Sequence, residues 1–303
     1  MAFQLKVDPV KQVFTDGQPF ANSKYFEYGD YHIHYREDAP QGEVKAKVFM
    51  IHGFGCSTAF FDELVVEYNK RGYYVVRIDI PDFGFSTRET KGINYVPTDT
   101  LVLKTLDYLS DGPDDKWIVL GHSMGGSVAL QIASEDDTHI AATILNCPLL
   151  MANIPSFVGK LVMTKPITSF FEGVLPYFVG HNSLMKLLMY TMTIDFKYSM
   201  GIDGTRVGDP FKLENTGIGL CYMTSVTRTP SREEIKKIKV PIQLVWGSRD
   251  IFVMPGSRQK LADCLPQDTD SHLMLKGGHC LINNYAPETA NVADIFITNS
   301  VLK

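Results

Sequence analysis

The feature that most restricts the fold is a rhythm in which short, largely apolar runs alternate with longer stretches of helical periodicity. Val48–Ile51, Tyr74–Ile80, Trp117–Leu120, Ala142–Leu145 and Ile242–Trp246 are the apolar runs, and such two-sided runs suit strands covered on both faces. Between them, Phe60–Arg71 (closed by Gly72), Thr98–Ser110, Ser123–Ser134, Pro255–Leu265 and Pro287–Leu302 carry helical patterns, some with proline at the first turn where its missing N–H costs nothing. The alternation predicts an α/β fold, a mostly parallel central sheet flanked by helices. Ahead of it, Tyr25–Tyr28 and Tyr31–Tyr35 alternate about Gly29-Asp30, which predicts an antiparallel hairpin at one edge of that sheet.

One interval breaks the rhythm. From Leu149 to about Lys239 no strand is followed promptly by a helix, and 303 residues suit one large domain carrying an insertion. The expected division is a core of residues 1–148 and 240–303 with an inserted helical cap, or lid, at 149–239. The first half of the insertion holds Met151, Phe157, Leu161, Met163, Phe170, Phe171, Leu184, Leu188, Met189 and Met192 with very few charges. Such a surface needs something apolar to cover, either the sheet beneath it or an apolar ligand. Ser231–Lys239 reads as a short polar helix leading back into the sheet.

Composition narrows the function. Hydrophobic residues at 45% and charged residues at 21% exclude a disordered chain, and a net charge of −5 argues against nucleic acid as a partner. Five scattered cysteines without a CxxC pair suggest neither a zinc site nor a disulfide framework and suit a reducing compartment. Lys6 and Asp8 stand where a signal peptide would carry its apolar run, and Asn146, Pro148, Pro155, Lys165, Pro166 and Glu172 interrupt the later apolar stretches too often for a spanning helix. The expectation is a cytoplasmic protein with no cofactor and no metal, its oligomeric state unmarked in the sequence.

The chemistry gathers around Gly121-His-Ser-Met-Gly125, which follows one predicted strand directly and opens the helical run Ser127–Ala133. In that context the small residues permit a tight, strained turn that lifts Ser123 Oγ clear of the sheet, with a helix N-terminus behind it to favour negative charge. A serine nucleophile also needs a base and an acid that orients it. Of eight histidines, His32 and His34 lie on the hairpin, His139 leads a strand, His181 is in the insertion and His272 starts a late strand. His122 adjoins the nucleophile but is expected to point away from it. His279, in the loop Lys276-Gly-Gly-His279 before the final helix, is the expected base. Asp250, in Gly247-Ser-Arg-Asp250 after the strand Ile242–Trp246, is the expected acid; the competing slot, Asn146-Cys147-Pro148, holds no carboxylate.

These elements, with His52-Gly-Phe-Gly55 after the strand Val48–Ile51 and the segment Asp79–Ser86, resemble the α/β-hydrolase superfamily from about Tyr25 to Leu302. The resemblance implies that His52–Gly55 is the oxyanion loop, that the backbone N–H groups of Phe54 and Met124 form the oxyanion hole, and that His52 braces the loop. Asp79–Ser86 is similar to a structural DxxGxGxS turn, with Asp82 where the first glycine is usual. A serine rather than an aspartate at position 123 disfavours epoxide hydrolase and haloalkane dehalogenase chemistry. Within the superfamily, Asn146–Asn153, Asp209-Pro210 before the apolar helix Gly217–Val226, and Val240-Pro241 resemble monoacylglycerol lipase-type esterases, although Phe54 stands where a smaller residue is common.

The expected function is therefore a serine hydrolase that cleaves carboxylic esters through an acyl-enzyme, acting on small-molecule or lipid esters such as monoacylglycerols, with any peripheral membrane contact falling to the cap. The same triad also fits a lactonase, a thioesterase or a carbon–carbon bond hydrolase, and the fold also fits a ligand-binding receptor with little turnover. Cys56 and Cys280 flank the site in sequence and are expected to be bystanders.

Overall fold

The computed structural model describes residues 19–88, 95–135, 138–149, 156–253 and 255–303; Lys6, Asp8, Met151, Asn153 and Pro155 lie outside the described residues. Eight strands form a single sheet: β1 (Ser23–Tyr28), β2 (Tyr31–Asp38), β3 (Ala46–Ile51), β4 (Tyr73–Ile78), β5 (Trp117–His122), β6 (Ile140–Asn146), β7 (Ile242–Gly247) and β8 (Asp270–Met274). Their spatial order is β1-β2-β4-β3-β5-β6-β7-β8. The hairpin β1–β2 is antiparallel, with Tyr28 opposite Tyr31, and β2 meets β4 antiparallel, whereas the other pairings are parallel.

The period of two along each strand sorts the core into two layers. Phe49 and Ile51 of β3 face one side, where α2 (Thr98–Leu109) contributes Val102 and Leu106 and α3 (Met124–Glu135) contributes Val128 and Ile132. Val48 and Met50 face the other, against Leu64, Val65 and Tyr68 of α1 (Asp62–Lys70) and Ala293, Phe296 and Ile297 of the C-terminal helix Ala286–Ser300. The runs that read as apolar on both faces are buried on both faces. At β8 the pattern relaxes, since it forms the far edge and Leu273 is exposed.

The fourth strand stops at Ile78, two residues short of its apolar run, for a specific reason. The N–H of Asp79 donates to His34 O at 2.9 Å, and its carboxylate turns to collect N–H groups from two neighbouring loops. The chain thereby leaves the sheet at a polar residue.

Between β6 and β7 the described chain is helical: α4 (Ser156–Val162), α5 (Lys165–Gly180), α6 (Asn182–Thr193), α7 (Phe196–Gly201), α8 (Gly204–Gly208), α9 (Thr216–Val226) and α10 (Arg232–Ile235). The last has a complete capping box, Ser231 and Glu234 satisfying each other's backbone N–H. After β7 come α11 (Pro255–Ala262), β8, α12 (Leu281–Asn284) and α13 (Ala286–Ser300). Among the described residues no helix is long and apolar enough to cross a membrane.

Candidate active site

Ser123 sits between β5 and α3 with φ of 54°, the left-handed conformation that a tight strand-to-helix turn imposes. Its carbonyl accepts N–H groups from Gly126 and Leu149, both at 3.0 Å, which fastens the turn to the chain leaving β6. The flanking glycine is there for close approach rather than for φ. A Cβ on Gly125 would lie 2.2 Å from Ile51 O and 2.5 Å from His52 O, so only a bare backbone lets α3 start this near to β3.

The structure brings the predicted base and acid to this serine. His279 Nε2 lies 2.9 Å from Ser123 Oγ, and His279 Nδ1 lies 2.8 Å from Asp250 Oδ2. Asp250 Oδ1 accepts the N–H groups of Phe252 and Val253 at 2.8 and 3.0 Å, so the carboxylate arrives with one oxygen locked and the other aimed at the imidazole. Burial alone would raise this carboxyl, but the hydrogen bond and charge of His279 and the two backbone donors outweigh it and hold Asp250 below the usual carboxylate range. An ionised acceptor at Nδ1 fixes the tautomer: Nδ1–H donates to Asp250, leaving Nε2 to accept the proton of Ser123 Oγ–H. All three residues are buried.

The loop His52–Gly55 lies against Ser123. A Cβ on Gly53 would stand 2.8 Å from Ser123 Cβ. His52 braces the loop through both ring nitrogens, Nδ1 with Gly53 O at 2.7 Å and Nε2 accepting the N–H of Ile80 at 2.9 Å. Behind it, Asp79 accepts N–H groups from Thr58 and Phe85 and pairs with His34 Nδ1 at 2.7 Å, while His34 Nε2 lies 2.7 Å from Ser23 Oγ. This second serine–histidine–aspartate chain ties the hairpin, the loop and the turn together. Met124 is the first residue of α3, so its N–H has no acceptor within the helix. Asp82 takes φ of 71° where glycine would be cheaper, a conformation that a short polar side chain tolerates.

His122 is turned away from the serine's hydroxyl but is not idle. Its Nε2 lies 3.2 Å from the carbonyl of His279, and the two rings stand 5.0 Å apart. Burial, followed by the neighbouring His279, depresses its pKa to about 3, so it is a neutral imidazole whose Nε2–H donates to the carbonyl of His279. 

Sequence reasoning passed over Cys147. The slot without a carboxylate is at the site nonetheless: Cys147 Sγ, a carboxylate oxygen of Asp250 and a ring nitrogen of His279 all lie within 4.8 Å of one another. Among the described residues this trio is a group of metal-ligating type, but its carboxylate and imidazole are hydrogen-bonded to each other. Burial pushes the Cys56 thiol up to about 12 and raises those of Cys147 and Cys280 well above the usual range, so none is a reactive thiolate.

The segment between β6 and β7 also reaches the site. Met192 O, at the end of α6, accepts the N–H groups of His279 and Cys280 at 2.7 and 3.0 Å. Glu63 on α1 receives Tyr198 Oη–H, the Arg206 guanidinium and Asn283 Nδ2–H, joining α7 and α8 to the helix that follows His279. None of these contacts has a local sequence signal.

Residues 42–285 match the family described as serine aminopeptidase, S33. Monoglyceride lipase of Rattus norvegicus is 26% identical over 272 residues, which cover 87% of this chain and 82% of the relative. Monoglyceride lipase of Homo sapiens is 25% identical over 261 residues, covering 83% and 80%. Among solved structures, the enol-lactonase from Burkholderia xenovorans LB400 superimposes with a TM-score of 0.70 at 16% identity, covering 91% of this chain and 100% of that one, which shows a shared fold.

Proposed function

Because the chain belongs to the serine aminopeptidase, S33, family of α/β-hydrolases, we propose that it is a serine hydrolase of lipid-like carboxylic esters, with Ser123 as nucleophile, His279 as base and Asp250 as acid. The observation that carries this reading is the continuous relay from Ser123 Oγ through His279 to Asp250, set on a left-handed elbow. His279 takes the serine proton as Oγ attacks the ester carbonyl, and Asp250 stabilises the imidazolium that results. The N–H groups of Phe54 and Met124 receive the developing oxyanion, each worth about 2.7–4 kcal/mol of transition-state stabilisation. His279 then returns the proton to the leaving alcohol, and water repeats the sequence on the acyl-enzyme.

Two observations favour a lipid over a small polar ester. The relatives include monoglyceride lipases. The helices of residues 156–200 expose Phe157, Phe170, Tyr177, Phe178, Leu187 and Phe196, a larger apolar surface than a water-facing shell requires. In this reading residues 149–239 are a cap over the core 1–148 and 240–303, and its apolar exterior makes peripheral contact with membranes from the cytoplasmic side. Hydrolysis of p-nitrophenyl esters and of monoacylglycerols across acyl lengths, with Ser123→Ala as control, tests the assignment. The expected result is an optimum at medium or long chains that is lost in the variant; activity that survives in Ser123→Ala refutes it, and a profile confined to short esters refutes the lipid substrate. Flotation with anionic lipid vesicles tests the membrane contact, and recovery only in the bottom fraction refutes it.

A further inference from the structure

Two apolar side chains follow Asp250 directly and stay open to solvent: Ile251 is 57% and Phe252 45% exposed. Solvation does not ask for a phenylalanine there, and the backbone beneath it is fixed. The N–H of Phe252 donates to Asp250 Oδ1 at 2.8 Å and that of Val253 joins it at 3.0 Å. Arg258 holds the same turn from the other end, its Nε donating to Val253 O at 3.0 Å and its Nη2 to Asp250 O at 3.1 Å. The Phe252 ring is thereby set with its centroid 5.1 Å from that of the His279 ring, at an interplanar angle of 43°. A second ring, that of His122 at 5.0 Å, is buried. Of these two neighbours of His279, Phe252 is the one open to a substrate.

Proton transfer decides which part of a substrate meets this ring. As the acyl-enzyme forms, the bond between the acyl carbon and the alcohol oxygen breaks, and the proton that His279 took from Ser123 Oγ passes from Nε2 to that oxygen. The transfer brings the alcohol oxygen within about 3 Å of Nε2. The acyl carbon is then bonded to Ser123 Oγ, whereas the carbons of the alcohol lie beside the imidazole, within reach of the ring that packs on it. Resting on the triad reading above, we propose that Phe252 is a specificity-determining residue for the leaving alcohol, its ring forming a wall of the alcohol side of the site that favours alcohols with an apolar or aromatic body. A half-exposed aromatic face gives such an alcohol dispersion and ring–ring contact, and gives a methyl group little of either.

The test compares kcat/KM for benzyl octanoate and methyl octanoate, two esters with the same acyl group and with leaving alcohols of similar acidity. Wild type prefers the benzyl ester, and Phe252→Ala lowers the benzyl-to-methyl ratio by about 3–10-fold. Phe252→Leu, which restores an apolar side chain, recovers part of the ratio. A fault in folding or in the carboxylate contacts slows both esters alike, so a ratio unchanged in Phe252→Ala overturns the proposal whatever the absolute rates, as does a wild type with no preference between the two. A fall in the ratio of methyl octanoate to methyl butyrate, with the alcohol ratio unchanged, assigns Phe252 to the acyl chain and overturns it equally. Should Phe252→Ala not fold, Phe252→Gln decides: a fall in the benzyl-to-methyl ratio supports the role, and an unchanged ratio overturns it. A wild type that hydrolyses neither ester overturns the ester hydrolase reading and this proposal with it, an outcome distinct from turnover at an unchanged ratio.

Discussion

Replacing Arg88 with methionine removes a buried cation while keeping much of its volume. The side chain is 2% exposed. Its Nε donates to Thr216 Oγ1 at 3.0 Å, and its Nη2 to Gly84 O and Pro210 O at 2.8 and 2.9 Å. The guanidinium thus clamps the Asp79–Ser86 turn of the core to the stretch that precedes α9. Burial lowers its pKa to about 10, with Asp82, Asp79 and Glu172 opposing the shift, so it remains charged at neutral pH. Without it, the carbonyl of Gly84 is left unpaired away from water, at about 1–3 kcal/mol, and Pro210 O keeps only the longer contacts from Leu213 N–H and Thr216 Oγ1–H, both at 3.3 Å. The guanidinium's own desolvation is relieved, and the net loss is about 3–5 kcal/mol, the range for breaking a buried ionic contact from one side. At about 2 °C per kcal/mol for a chain of this size, Tm falls by about 6–10 °C. Differential scanning fluorimetry reads the shift, and a urea titration confirms that the midpoint moves with it. Lys104→Ala, which removes an exposed pair with Asp107 at 3.0 Å, is the control that leaves Tm in place. An Arg88→Met protein melting within about 2 °C of wild type would refute the clamp.

Two further outcomes follow from the same contacts. Gly125→Ala sets a Cβ against the backbone oxygens of Ile51 and His52, which no rotamer change can relieve; α3 must retreat, costing about 1–3 kcal/mol in stability and at least about 100-fold in fluorophosphonate labelling of Ser123, and a variant that labels at the wild-type rate contradicts the close-approach argument. His122 titrates near 6.5 when unfolded and near 3 when folded. The unfolded chain therefore binds the proton first, and this histidine's contribution is intact above pH 6.5 and lost by about 1.4 kcal/mol per unit as pH falls towards 3. Urea midpoints measured at pH 7 and pH 5 should fall less on acidification in His122→Gln than in wild type; equal slopes refute it.

The strands were legible because the sheet buries both of their faces, so an apolar run such as Val48–Ile51 or Trp117–Leu120 needs no partner to be recognised. The positions of Ser123, Asp250 and His279 were legible for a related reason: each lies in a short loop just past a strand, and the order of the strands sets which loop ends are neighbours. What escaped was every contact made by one loop end with another. Cys147 reads as a residue in an empty slot until β6 and β7 are paired through Cys147 N–H and Val245 O. Arg88 follows a familiar turn, but two of its acceptors become apparent only when residues 210 and 216 are laid over residue 84. Main-chain carbonyls such as Met192 O carry no sequence signal at all, because every residue has one.

That last contact ties the helices between β6 and β7 to the candidate site. Ser123 and Asp250 follow the ends of β5 and β7, but the backbone of His279 is held by Met192 O, which belongs to the helical segment between β6 and β7. The same end of α6 is secured by Thr193, whose Oγ1 is 2.9 Å from Ser199 Oγ, and by Asn284 Nδ2, which donates to Thr193 O. Through Glu63, α7 and α8 are fastened to α1 as well. Lifting α6 would withdraw from two consecutive N–H groups in the histidine loop the one carbonyl that both share. By contrast α4 and α5 rest on α9, and Glu172 of α5 accepts the N–H of Ile218 there. Displacement of α4 and α5 leaves the hydrogen bonds from the histidine loop to Met192 O intact, whereas displacement of α6 breaks them.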